Sequence, residues 1–166
     1  FQNIISQCNH LKKNIRFEKD FIKRTEVLTA LILSGLVFKE YEENFRIGIK
    51  ELEKLTKSLF DKDGFPLTRN PNDLIILTKY LLLCRETIKD AQQYTPDFLE
   101  DLVTKNFRCI KLIKTPNNDT PLFNGGSKND LEQFNEYLNE LKINKKEKKK
   151  LLGGYFTQNL DINLFI

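Results

Sequence analysis

The side chains that most often catalyse reactions or bind metals are few in this chain and lie far apart. His10 is the only histidine, and no two of the three cysteines, Cys8, Cys84 and Cys109, form a Cys-x-x-Cys pair. A structural zinc site needs several such ligands, and a Ser-His-Asp triad needs a well-placed histidine. We therefore expect neither site here, and we interpret the cysteines as reduced, buried and structural.

The strongest charged feature is a run of lysines from Lys142 to Lys150. It carries a local charge of +5 against +4 for the whole chain, so the remaining residues are close to neutral. Lysines at a helix end are typical of a solvated terminus or linker, and the alternative is a binding site for a polyanion. No aromatic residue interrupts the run and no nucleic-acid motif occurs, so nucleic acid ranks below acidic polysaccharide as a partner.

The size and composition are those of a folded domain. The chain has 166 residues, of which 40% are hydrophobic, enough for a substantial core. The longest apolar stretch without a charge, residues 27–38, is shorter than the roughly 20 residues of a membrane-spanning helix, so we expect no membrane span. Because the sequence begins at Phe1 and lacks methionine, we expect that residues were removed or that it is part of a longer chain.

Apolar residues recur at intervals of three and four along most of the chain, which predicts an all-α fold of six helices. The first three cover about 1–15, 20–38 and 41–60, with Asp20 as the N-cap of the second. Asn70 before Pro71 predicts the cap and first turn of the fourth, and Thr95 before Pro96 predicts the same for the fifth. Ser127 with Asp130 resembles a capping box for the sixth.

Two segments do not follow the helical pattern. Residues 115–126 contain two prolines and two glycines, which predicts a long loop, and loops of this length are often functional. After Gly153 and Gly154, residues 155–166 alternate between apolar and polar, which predicts a β-strand. Because a lone strand needs a partner, we expect a helical domain at 1–150 and the start of a β domain at 151–166.

Four segments, taken in order, resemble the heparinase II/III-like family of polysaccharide lyases: LILSGLVF, DGFPLTRNPNDLIILTKYLLL, PLFNGG and GGYF. The resemblance implies an incomplete α/α toroid of antiparallel helix pairs followed by a β-sandwich. It also implies β-elimination in uronate-containing polysaccharides. That reaction needs Arg or Asn to neutralise a carboxylate and a base such as Tyr or His to remove the adjacent proton.

At the family's catalytic positions this chain differs. The Asn-His pair falls on Ile22 and Lys23, and the tyrosine falls on Asp73 or nearby. Catalytic residues are therefore unassigned. The positions that we predict to bind substrate are Arg69, Asn70 and Asn124, which match the family, and Tyr80, the tyrosine that we expect to face a groove.

Each matched position also has a purely structural interpretation. Asn70 could serve only as a helix cap, and Arg69 could pair with a carboxylate such as that of Asp73. Asn124 could be a turn residue that accepts a left-handed conformation before Gly125.

The sequence thus predicts part of a polysaccharide lyase-like protein acting on acidic polysaccharide. The alternative is a non-catalytic all-α module that binds glycans or another partner. We expect no cofactor in this segment and no lyase activity from it alone. Relatives in the family would be periplasmic or extracellular, and a cytoplasmic location is left open.

Overall fold

The structure is a computed structural model that describes residues 2–15, 17–115, 117–129, 131–142 and 152–155. Its helices are α1 (Gln2–Asn14), α2 (Phe21–Val37), α3 (Glu42–Leu59), α4 (Pro71–Asp90), α5 (Asp97–Ile113) and α6 (Asn135–Glu140). Short 3-10 turns precede α3 and α6. Among these residues, β-type backbone pairing consists only of isolated bridges, so the predicted all-α class is confirmed. The predicted strand beyond Tyr155, the boundary at 150/151 and most of the lysine run lie outside the described residues.

The caps predicted for α2 and α4 are confirmed. The Asp20 carboxylate accepts the backbone N–H groups of Ile22 and Lys23, at 2.8 and 3.1 Å. The Asn70 side chain accepts the Asn72 N–H at 2.8 Å, and Pro71 occupies the first turn. Each side-chain oxygen thus satisfies backbone donors that have no partner within the helix.

Two predicted helix starts are wrong. Thr95 does not cap α5, because extended Pro96 is the cap residue and its carbonyl accepts the N–H of Leu99. The capping box at Ser127 does not form either. The Ser127 hydroxyl instead donates to the Asn72 side chain at 3.2 Å. Two residues later, the Asn129 backbone N–H donates to the Asp119 carboxylate at 2.9 Å. These tertiary contacts hold 127–129 outside the helix, which starts only after a 3-10 turn.

Helices α2 and α3 pack antiparallel at very short distance, with α2 at the centre of the helical core. A Cβ on Gly35 would lie 2.2 Å from the Phe45 backbone nitrogen, and one on Gly48 would lie 2.6 Å from Ile32 Cγ1. These two glycines therefore let the helix backbones meet. Helix α2 also contacts α1 and α4, and α4 leads through α5 to α6. The toroid itself stays a prediction.

A tight turn connects α3 to α4. Phe60 and Pro66 form an isolated antiparallel bridge, and Phe65 between them is fully buried. Gly64 has φ +84, and its carbonyl accepts the Asn106 side-chain N–H from α5 at 2.6 Å. This turn, residues 60–69, is thereby fixed to α5 and sets the position of the chain that enters α4.

The three cysteines are free and buried, as predicted. Burial raises the pKa of the Cys84 thiol to about 11, although the Thr29 hydroxyl partly offsets this. A thiol with so high a pKa is a poor nucleophile at neutral pH. In the part of the chain that the structure describes, no helix is long and apolar enough to cross a membrane.

Candidate functional site

Three of the four residues predicted to bind substrate come together at the N-terminal end of α4. Arg69 and Asn70 are the last residues before this helix, and Asn124 reaches them from the loop after α5. The Asn124 side-chain nitrogen donates to the Arg69 carbonyl at 3.3 Å, across a separation of 55 residues. A Cβ on Gly125 would lie 3.0 Å from the side-chain amide nitrogen of Asn70, so the loop packs directly against the residue that caps α4.

Tyr155 joins this cluster, although the sequence analysis did not select it. Its hydroxyl donates to the Arg69 carbonyl and accepts from the Asn124 amide, both at 2.5 Å. Its ring packs against Phe65 and Phe123, with centroids 5.6 and 4.4 Å away. The one available indication was the GGYF segment within the resemblance. We call Arg69, Asn70, Asn124 and Tyr155 the α4 entry cluster.

Arg69 pairs with Asp61 rather than with Asp73, which corrects the partner suggested from the sequence. Its guanidinium Nη1 lies 2.6 Å from the Asp61 carboxylate, whereas Asp73 accepts the Thr68 hydroxyl at 2.7 Å. The pairing follows from backbone geometry, because Arg69 has φ +58 and the turn brings Asp61 beneath it. A non-glycine residue in this conformation is strained and needs support from its surroundings.

The Asp61 carboxylate also supports the turn itself. It accepts the backbone N–H groups of Asp63 and Phe65, at 2.9 and 3.0 Å. Burial by itself would raise the Asp61 pKa, but the hydrogen bonds from Arg69, Phe65 and Asp63 outweigh it and hold the pKa below its usual value. The Arg69 charge is thus partly balanced by an ionised partner.

The Arg69 guanidinium keeps donors that could bind a ligand. Its side chain is 35% exposed, and Asp61 engages one of its terminal nitrogens. A guanidinium has five N–H donors in a planar fork that matches a carboxylate. By contrast, Asn70 and Asn124 have the structural roles that the sequence allowed: Asn70 caps α4, and Asn124 has φ +48 before Gly125.

The remaining predicted positions lie elsewhere. Tyr80 is half-buried in the middle of α4, where burial and the nearby Glu26 carboxylate of α2 raise its pKa. Ile22 and Lys23, at the family's catalytic positions, lie in the first turn of α2. Among the described residues, no group of three or more His, Cys, Asp or Glu side chains could hold a metal ion.

Comparisons with known proteins do not place the chain in a family. No protein-family model matches it, and neither the curated proteins nor the solved structures gave a match. The resemblance to heparinase II/III-like lyases therefore depends on the four short segments alone.

Proposed function

We propose that this chain is the helical part of a heparinase II/III-like protein that binds acidic, uronate-containing polysaccharide. In this proposal the exposed face of Arg69 contacts a uronate carboxylate. The supporting observation is that the loop carrying Asn124, matched in the PLFNGG segment, contacts Arg69 and Asn70, which were matched together in an earlier segment, at one end of α4. Contact between two separately matched segments is more informative than either match alone.

The chemistry of the entry cluster suits recognition of a carboxylate. The free edge of the Arg69 guanidinium can donate two charge-assisted hydrogen bonds, while Asp61 holds the opposite side. Asn124 and Tyr155 both bond to the Arg69 carbonyl and so fix the strained backbone. Holding the side chain in place before binding lowers the entropy lost when a ligand is bound.

Elimination chemistry needs more than this cluster supplies. A base must remove the proton next to the carboxylate, but the family's Asn-His pair falls on Ile22 and Lys23, so a lysine replaces the histidine. Asp73, at or near the family's tyrosine position, is hydrogen-bonded to Thr68. Lyase activity therefore requires a base other than the family's histidine or tyrosine. For this reason a glycan-binding module without catalysis is the second candidate function, and the loss of both family residues is the observation that favours it.

Calorimetric titration of the 166-residue chain with uronate oligosaccharides from pectin, alginate and heparan sulfate tests the proposal. Arg69→Ala should weaken binding about tenfold or more, and Arg69→Lys should recover part of the affinity because charge returns without the planar fork. Asp61→Asn is the control, since it breaks the ion pair but keeps Arg69. Equal affinities for the wild type and Arg69→Ala would remove Arg69 from the site.

A second measurement separates the two candidate functions. Elimination creates an unsaturated uronate that absorbs in the ultraviolet, so incubation of the full-length protein with each polysaccharide should raise the absorbance if that protein is a lyase. Binding without any rise in absorbance would support the non-catalytic module.

A further inference from the structure

A groove lies at the opposite end of α4 from Arg69. Helix α4 has 20 residues, so its two ends are about 30 Å apart. The groove consists of a cavity of about 650 Å³ between the ends of α2, α3 and α4, and a second cavity of about 400 Å³ along α3. Both are lined by Phe45, Arg46 and Gln93, so the two cavities adjoin. From Glu42 to Glu53 the groove follows α3 for about 16 Å.

Cations outnumber carboxylates in the lining of this groove. Lys39, Arg46 and Lys50 line it, and within the described residues none of them has an ion-pair partner within 4.0 Å. The two lining carboxylates are those of Glu42 and Glu53, and Glu53 is bonded to Lys57 at 2.7 Å. A hydrogen bond from a lysine lowers the pKa of each of the neighbouring Glu43 and Glu51 carboxylates, and the positive charges of Arg46 and Lys50 also help to lower these pKa values. The lining thus carries three cations against two carboxylates, a modest excess of positive charge that an anionic ligand can meet.

Tyr94 gives the groove an exposed aromatic surface. The residue is 73% exposed, and its hydroxyl donates to the Asp97 carboxylate at 2.5 Å. Its backbone follows the end of α4, where the Gln93 N–H donates to the Ile88 carbonyl at 3.0 Å and Gln92 has φ +56. A large exposed aromatic ring is suited to binding an apolar face of a ligand.

We propose that this groove binds an acidic oligosaccharide. The Tyr94 ring would pack against the C–H face of one sugar, and Arg46, Lys39 and Lys50 would bind carboxylates of the same chain. A uronate combines these two features, a flat apolar face and an anionic group on one ring. The ligand class rests on the proposed function, but the subsite is separate from Arg69.

Single-stranded nucleic acid also combines flat rings with negative charge. Sites for single strands stack successive bases on several aromatic side chains. In this groove Tyr94 is the strongly exposed ring, whereas Phe45 is half-buried. We therefore assign the oligosaccharide, and nucleic acid becomes an outcome of the test.

The test is calorimetric titration of the 166-residue chain with the same pectin, alginate and heparan sulfate oligosaccharides. Tyr94→Ala and Arg46→Ala should each weaken binding about tenfold, and Tyr94→Phe should keep most of the affinity because the ring remains. Lys50→Ala, at an exposed position that cannot disturb the fold, should weaken binding severalfold. Lys79→Ala is the matched control, since it removes one exposed positive charge from α4 outside the groove.

The outcomes separate this inference from the proposed function. Weaker binding in the groove variants but not in Arg69→Ala supports the groove and excludes the entry cluster. Weaker binding in Arg69→Ala but in none of the groove variants overturns the inference and leaves the proposed function intact. No binding to any of the oligosaccharides overturns both. Tighter binding of oligothymidylate than of every oligosaccharide overturns the inference in favour of nucleic acid.

Discussion

At the N-terminal end of α4 the polar side chains are hydrogen-bonded within the protein, whereas at its C-terminal end several cations are not. In the entry cluster Arg69 is paired with Asp61, and Asn70 caps the helix. In the groove Arg46 and Lys50 have no ion-pair partner among the described residues. Both ends lie at helix boundaries, but only one uses most of its polar groups for folding.

This difference separates two kinds of evidence for function. The short segments of the resemblance selected the entry cluster, where each side chain also has a structural task. The groove was identified instead from its exposed side chains: cations that have no ion-pair partner within 4.0 Å among the described residues, and the exposed ring of Tyr94. The two ends should therefore respond differently to mutation: in the entry cluster, changes at positions other than Arg69 should act mainly on stability, whereas changes in the groove should act mainly on binding.

Between the two ends of α4, the largest effect on stability is expected from Gly64→Ala in the turn beneath the entry cluster. Gly64 has φ +84, and a Cβ there would lie 2.5 Å from the Lys105 Cβ of α5. Backbone strain and steric overlap together should lower the free energy of unfolding by about 3 kcal/mol. Urea denaturation measures this.

Gly154→Ala provides the matched control for this prediction. Gly154 has nearly the same φ, +83, but nothing lies within 4 Å of a Cβ at this position. It should show only the conformational cost of about 1 kcal/mol. If both variants lost the same stability, the contact between the turn and α5 would not be tight, and the entry cluster would not be rigidly held.

The next effect is expected from Asp61→Ala, which removes the acceptor of two backbone N–H groups and one guanidinium. Stability should fall by about 2 kcal/mol at neutral pH. Because the folded pKa of Asp61 lies below its usual 3.8, the carboxylate stabilises the fold above that pH and loses this effect as pH falls through the folded value.

Denaturation of the wild type and Asp61→Asn across acidic pH tests the sign of this dependence. The asparagine variant cannot ionise, so the difference between the two proteins should shrink as the solution becomes more acidic than about pH 3.8. A difference that stayed constant into strong acid would show that the Asp61 charge does not stabilise the turn.

A smaller effect is expected from Asn70→Ala. Loss of the cap should lower the free energy of unfolding by about 1 kcal/mol, with little change in oligosaccharide affinity. Asp20→Ala is the matched control, because Asp20 caps α2 in the same way. If Asn70→Ala weakened binding tenfold while Asp20→Ala did not, Asn70 would contact the ligand and the contrast between the two ends of α4 would be weaker.

The sequence predicted what depends on local structure. Apolar periodicity located α1 to α5. The residues at positions 20 and 70 identified two caps, because a cap and the N–H groups that it accepts lie within one helical turn. The capping box at Ser127 failed because a contact with Asn72, 55 residues away, replaces it. The bond between Tyr155 and the Arg69 carbonyl spans 86 residues. The groove was missed for the same reason, since its lining comes from the ends of three helices.

The smallest effect is expected at the groove end, from Gln92→Gly. Gln92 has φ +56 where α4 ends, a position at which glycine is usual because it has no Cβ to strain the backbone. Relief of that strain is partly offset by the greater freedom of glycine in the unfolded chain, so stability should rise by about 0.5 kcal/mol. Thermal and urea denaturation measure this, and Gln92→Ala, which keeps the Cβ, should not be more stable than the wild type. Because Gln93 rather than Gln92 lines the groove, oligosaccharide affinity should stay unchanged. A loss of affinity in both Gln92 variants would instead assign the Gln92 amide to the ligand and explain why glycine does not occupy this position.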